Sequence, residues 1–266
     1  MRTLLTGLLV TLLAAPAIAQ KLESRELEYT SGGVKLRGLL VYDPSNSGKR
    51  PAVLVFPEWW GRNDYVRARA EQLAQAGYVA FAADMYGDAH TTPNPDEAKQ
   101  LVAPFYSNPA LMRERAGAAL KRLKEEPNVD GSKVAAIGYC FGGACALELA
   151  RSGGELAAVV SFHGSLKTQS PADARNIKGK VLICTGGADG MVGAEEREGF
   201  ISEMEAGKVD YQMVVYSGAK HSFTNPGADK YRIPGIAYDK KADQQSWGAM
   251  MALFRDTIGP RKGTPG

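Results

Sequence analysis

The sequence predicts an α/β domain with a mostly parallel sheet covered by helices on both faces. Two observations carry this. Short, continuously apolar runs such as "AVLVF", "YVAFAA", "VAAIGY" and "VLICT" have the length and branching of strands buried on both sides. Between them lie windows whose apolar residues recur every three or four positions, so strand and helix alternate along nearly the whole chain.

Taken in order, "LEYTSGGVKLRGLLVYDP" reads as two strands about a Ser31-Gly32-Gly33 turn, the second ending near Asp43-Pro44. "RPAVLVF" is a buried strand, followed by a loop and then a helix over "DYVRARAEQLAQAGY". In that helix Val66, Ala70, Leu73 and Ala74 share one face, and Gly77 is the stop. The alternation continues with "YVAFAADMYG" as strand and "NPALMRERAGAALKRLKEEP" as helix. "KVAAIGY" is strand, "GGACALELARSGG" helix, and "LAAVVSFHG" and "GKVLICTGGAD" are strands. "EEREGFISEMEAG" is helix, "YQMVVYSGAKH" strand and "DQQSWGAMMALFRDTIG" the closing helix. Two stretches read as loop-rich insertions: "GDAHTTPNPDEAKQLVAPFYSNP" and "SFTNPGADKYRIPGIAYDKKAD". Segments of this length usually cover or line a site.

The first residues, "MRTLLTGLLVTLLAAPAIAQ", combine one arginine, a short apolar stretch and the small-x-small pattern Ala17-Ile18-Ala19. This predicts a secretory signal over residues 1–19, a periplasmic destination, and no membrane association after cleavage. The 266-residue chain carries Lys+Arg 32 against Asp+Glu 29. Its basic residues are scattered rather than gathered on one face, which argues against a nucleic-acid partner. Nothing in the sequence specifies an oligomer.

Three cysteines are too few for a disulfide framework, and their odd number leaves at least one thiol free within the monomer. Cys140 stands in Gly138-Tyr139-Cys140-Phe141-Gly142-Gly143, where a strand turns abruptly into a helix. The spacing is that of a nucleophile elbow: residues two before and two after the nucleophile must lack side chains for strand and helix to approach. A helix N-terminus favours thiolate over thiol, and the Phe141 amide would face a developing oxyanion. The alternative reading of Cys140 is a small buried hydrophobe.

A nucleophile needs a base, and the base an orienting acid. Asp189 follows the strand "VLICT" and His221 the strand "YQMVVY", so both fall at carboxyl ends of late strands in the order nucleophile, acid, histidine. His163 precedes the acid and reads as structural or pocket wall; His90 reads as a surface or lid residue. Asp84 is a rival strand-end acid that comes before the nucleophile, and a turn cap is the alternative for Asp189. In "FPEWWG", Trp59 is placed to supply the second oxyanion amide, and Glu58, directly after a buried strand, is expected beside the site. Trp60, Tyr86, Phe223 and Asn225 are candidate pocket residues. Cys145 and Cys184 read as core fillers, with a disulfide between them left open. No His and Cys spacing resembles a metal site, and no cofactor is called for.

These residues resemble the dienelactone hydrolase family of α/β-hydrolases. The resemblance covers about residues 25 to 258 and is carried by "FPEWWG", "ADMYG", "GYCFGG", "GGAD", "HSF" and "YDKKADQQSWGAMMALF", above all by cysteine in the elbow. It implies one α/β-hydrolase domain over residues 20–266 and a Cys140-His221-Asp189 triad with an oxyanion hole at Trp59 and Phe141. It further implies that Glu58 contacts the resting nucleophile. The family's two substrate-clamping arginines correspond to Asp88 and Asn225, and a negative Asp88 would repel a carboxylate. The expected activity is hydrolysis of small esters or lactones through an acyl-thioester. A thioesterase on the same fold, or a redox-thiol or binding protein, are the alternatives.

Overall fold

The computed structural model describes residues 21–259, so the expected signal segment lies outside the described residues. Among these residues eight strands form one sheet: β1 (Glu23–Ser31), β2 (Val34–Tyr42), β3 (Arg50–Phe56), β4 (Val79–Ala82), β5 (Val129–Tyr139), β6 (Ala158–Phe162), β7 (Lys180–Gly186) and β8 (Tyr211–Tyr216). Their spatial order is β1-β2-β4-β3-β5-β6-β7-β8. β1 and β2 form an antiparallel hairpin that joins β4 antiparallel, and every later pairing is parallel.

Among the described residues six α-helices cover the sheet: α1 (Asp64–Gln75), α2 (Pro95–Ser107), α3 (Pro109–Lys124), α4 (Phe141–Arg151), α5 (Ala194–Gly207) and α6 (Lys240–Thr257). The strand alternation sorts the core into two layers. Ala52, Leu54 and Phe56 of β3 pack with apolar residues of α2 to α5, whereas Val53 and Val55 pack with α1 and α6. Every residue of β3 is buried, which is why its sequence from Pro51 to Phe56 is continuously apolar rather than alternating.

The stretch after Tyr86 is not chiefly loop, because residues 95–107 form a helix of more than three turns. Asn94 caps it by accepting from the Asp96 amide, and Pro95 occupies the first turn, where its missing N–H costs nothing. Ala98, Val102 and Phe105 face the core. The second insertion holds a short 3-10 turn over Ala228–Tyr231, is otherwise irregular up to Asp239, and ends in the first turn of α6.

Candidate active site

Because β3, β5, β7 and β8 run parallel, the residues that follow their carboxyl ends collect on one edge of the sheet. Glu58, Cys140, Asp189 and His221 are those residues.

Cys140 is the turn between β5 and α4, with φ 53 and ψ −117, a conformation that L-residues rarely adopt and that costs roughly 1–3 kcal/mol. The glycines make it feasible. A Cβ on Gly138 would sit 1.8 Å from the Gly142 carbonyl oxygen, and one on Gly142 would sit 2.3 Å from that of Phe56. A Cβ on Gly143 would meet Ser161 Oγ at 2.4 Å, so all three positions exclude side chains. Cys140 is half-buried, while Cys145 and Cys184 are fully buried; all three thiols are free. Burial raises the pKa of Cys145 and pushes that of Cys184 up to about 12, which keeps both as inert thiols.

His221 Nδ1 donates to Asp189 Oδ2 at 2.9 Å, and both residues are buried. Asp189 Oδ1 accepts the Met191 amide at 2.9 Å, which fixes the carboxylate plane. The other ring nitrogen, Nε2, is buried without a hydrogen-bond partner among the described residues, and Cys140 lines the same cavity as the ring. Burial disfavours charge on His221, yet Cys140 and Asp189 outweigh it and hold its pKa well above the ordinary histidine value. The arrangement therefore favours the protonated His221 ring.

The amides of Trp59 and Phe141 have no hydrogen-bond partner among the described residues, and both residues line the cavity over Cys140. The Trp59 peptide is fixed from behind by the Tyr86 hydroxyl, which donates to its carbonyl at 2.8 Å.

Glu58 is buried, but its oxygens accept from the Ser222 hydroxyl at 2.7 Å and the Asn225 amide at 2.6 Å. The expected contact with Cys140 is absent from its hydrogen bonds. Its place is under the His221 loop. Burial raises its pKa, and the two donors, then His221 and Arg69, oppose that shift.

The cavity measures about 330 Å³ and is walled by Trp59, Val102, Tyr106, Met191, Val192 and Ile236 around Cys140 and His221. Tyr106 and Met191 are also two of the large hydrophobic side chains left exposed. Apart from His221, the single cation in the lining among the described residues is Lys99 on α2, and the Ser165 hydroxyl there already donates to Glu196. The four candidate pocket residues lie behind this wall. Trp60 is buried and stacks on Tyr231 at 3.9 Å, Tyr86 stacks on Phe141, Phe223 packs edge-on to His163, and Asn225 binds Glu58. Asp88 is also outside the lining; its side chain is 78% exposed beside Arg37, so it neither clamps nor repels a ligand in this cavity.

His90 is exposed and meets Glu97. Asp84 accepts the amides of Arg37, Tyr86, Gly87 and Ala89, a purely structural use. Among the described residues no group of three or more His, Cys, Asp or Glu side chains is placed to hold a metal, and no helix is long and apolar enough to cross a membrane.

The sequence profile of the dienelactone hydrolase family matches residues 36–258. This chain belongs to the dienelactone hydrolase family. A putative carboxymethylenebutenolidase of Aquifex aeolicus is 30% identical over 234 residues, covering 86% of this chain and 96% of its own. Among solved structures, a dienelactone hydrolase-like promiscuous phosphotriesterase from metagenomic libraries is 43% identical, with TM-score 0.86 over 90% of this chain and 99% of that one. A structure described as m3DLH is 41% identical with TM-score 0.87, over 89% and 99%. Membership makes this protein an α/β-hydrolase-fold carboxylic ester hydrolase.

Proposed function

We propose that this dienelactone hydrolase family member cleaves small, uncharged esters or lactones with Cys140 as nucleophile, His221 as acid and base, and Asp189 as its orienting partner. The observation that carries the reading is the buried His221 between Asp189 and Cys140, with its Nδ1 already taken.

The Cys140 thiolate attacks the carbonyl carbon, and the oxyanion is received by the Trp59 and Phe141 amides. As the C–O bond breaks, His221 gives its Nε2 proton to the departing alkoxide, leaving an acyl-thioester and a neutral imidazole. Water then loses a proton to His221 as its oxygen adds to the thioester. That proton restores the imidazolium, and collapse of the adduct then expels the thiolate and releases the acid. The mechanism calls for no cofactor. Asp189 keeps the ring in the tautomer that presents Nε2. The apolar walls, with Lys99 alone at the rim, suit a neutral substrate better than a carboxylate-bearing one.

A second reading is favoured by the same lack of a cationic clamp together with the relative described as a promiscuous phosphotriesterase: a neutral phosphotriester would enter this cavity equally well. We also propose, from residues 1–19, that the protein acts outside the cytoplasm; N-terminal sequencing of the mature protein from a periplasmic extract, starting at Gln20, checks this.

Stopped-flow hydrolysis of an activated acetyl ester, beside Cys140→Ala, tests the chemistry. A burst followed by steady turnover, lost in the variant, is expected. Equal turnover by both proteins would remove Cys140 from the mechanism. A monoanionic ester and a neutral phosphotriester run in parallel separate the substrate classes.

A further inference from the structure

The mechanism leaves one buried histidine unused. His163 follows the end of β6, has φ 42, is 1% exposed and lies with its ring centroid 5.2 Å from that of His221. It is not in the cavity lining.

Its hydrogen bonds define its role. The Cys140 amide donates to the Phe162 carbonyl at 3.0 Å and also to His163 Nδ1 at 3.1 Å. A nitrogen that accepts from a backbone amide carries no proton, so the ring proton is on Nε2, which donates to Thr224 Oγ1 at 2.7 Å. Thr224 is itself fixed: its hydroxyl lies 2.6 Å from Tyr65 Oη, and its carbonyl accepts from Arg69, which is paired with Asp243. An unbroken chain of buried partners thus runs from α6 and α1 through Thr224 to the amide of the nucleophile.

We propose that His163 is a positioning residue for Cys140, a neutral acceptor of fixed tautomer that holds the nucleophile's backbone amide and so keeps the strained elbow aiming its sulfur at His221. The proposal rests on Cys140 as the nucleophile. Strained backbone persists only where its surroundings over-determine it. The glycines permit this conformation but do not choose it; a second acceptor on the amide helps to do so. Burial, then the neighbouring His221 and Arg69 charges, hold the His163 pKa well below the ordinary value, which keeps Nδ1 an acceptor beside an imidazolium. A proton on Nδ1 would set two donors against each other.

The test compares His163→Leu, which keeps bulk and removes the acceptor, with His163→Asn, whose Oδ1 takes the place of Nδ1. With an activated acetyl ester, His163→Leu should lower kcat by about 10- to 100-fold while KM stays within about two-fold, the scale expected when a reacting atom is misplaced by a fraction of an ångström. His163→Asn should recover most of that loss. Iodoacetamide reads the thiol directly, since Cys145 and Cys184 are buried. In His163→Leu its reaction with Cys140 should shift to higher pH, and in His163→Asn it should return toward the native profile. Thr224→Val, which frees the ring without altering it, is the second variant should His163→Leu fail to fold, and should lower kcat by several-fold in the same direction.

Native kcat in His163→Leu, or an Asn variant no better than Leu, would overturn the proposal. So would native kcat in Thr224→Val where His163→Leu does not fold. Cys140→Ala is the control: if it alone abolishes turnover while His163→Leu does not, only the positioning role fails, whereas if it stays active the nucleophile assignment fails first.

Discussion

Glu58 shows how far a single side chain can be read. Its burial beside the site follows from a carboxylate placed directly after an apolar strand, but its partners depend on how the loop after β8 folds back. Ser222 adopts φ 56 there, and Asn225 has its Oδ1 occupied by the Gly227 amide, so its NH2 must point at Glu58. Glu58→Gln should be tolerated, because the glutamine carbonyl can accept from Asn225 while its NH2 donates to a reoriented Ser222 hydroxyl. Glu58→Ala leaves both groups unpaired, and thermal denaturation should register a loss of about 1–3 kcal/mol per orphaned group. The charge has a separate effect. Glu58 and His221 stabilise each other's charged forms, so Glu58→Gln should lower the His221 pKa from its raised position. In the proposed mechanism turnover needs the imidazolium, so the alkaline limb of the kcat/KM profile should move to lower pH; an unmoved limb would leave Glu58 with a structural use alone. The pocket aromatics were not legible for a related reason. Sequence locates Trp60 and Phe223 in site loops, but the direction of a loop side chain is set by distant partners such as Tyr231 and His163.

The strands and most of the helices were legible because burial on two faces and on one face write different periods into the chain. α2 was obscured by its composition. Pro104 inside it and Asn-Pro at both ends read as loop, although Asn94-Pro95 is also a helix start signal and Ala98, Val102 and Phe105 keep helical spacing. Nor did the sequence announce the joint between α4 and α5. Arg151, fully buried at the last turn of α4, makes a bidentate pair with Glu203 of α5 at 2.8 and 2.7 Å, meets Glu148 at 3.0 Å and donates to the Leu166 carbonyl. Arg151→Met strands two buried carboxylates, of which Glu148 keeps Arg113. Denaturant unfolding should show a loss of about 3–5 kcal/mol, and a double variant with Glu203→Leu should regain most of it, because a well-packed apolar pair replaces a buried ion pair at little cost. If the double variant is no better than the single, the pair contributes more than mutual neutralisation.

Across the whole molecule, chemistry and selectivity occupy different parts. The proposed nucleophile, orienting acid and base, Cys140, Asp189 and His221, follow the ends of hydrogen-bonded parallel strands, and this parallel order is why chain order alone points to them. The far wall of the cavity, by contrast, is largely one helix, with Lys99, Val102, Ala103 and Tyr106 all contributed by α2. On its other side Tyr106 borders a neighbouring hollow of about 360 Å³ that it shares with Phe105, Met112 and Ser165. Tyr106→Ala should join the two spaces, so kcat/KM across a series of straight-chain acyl esters should shift its optimum to longer chains while the acetyl ester changes little. A uniform loss across the series would mean that Tyr106 supports the site rather than limits it. The helix is thus an exchangeable cassette: a library confined to four codons would sample new substrate preferences while every atom that makes or breaks a bond stays in place.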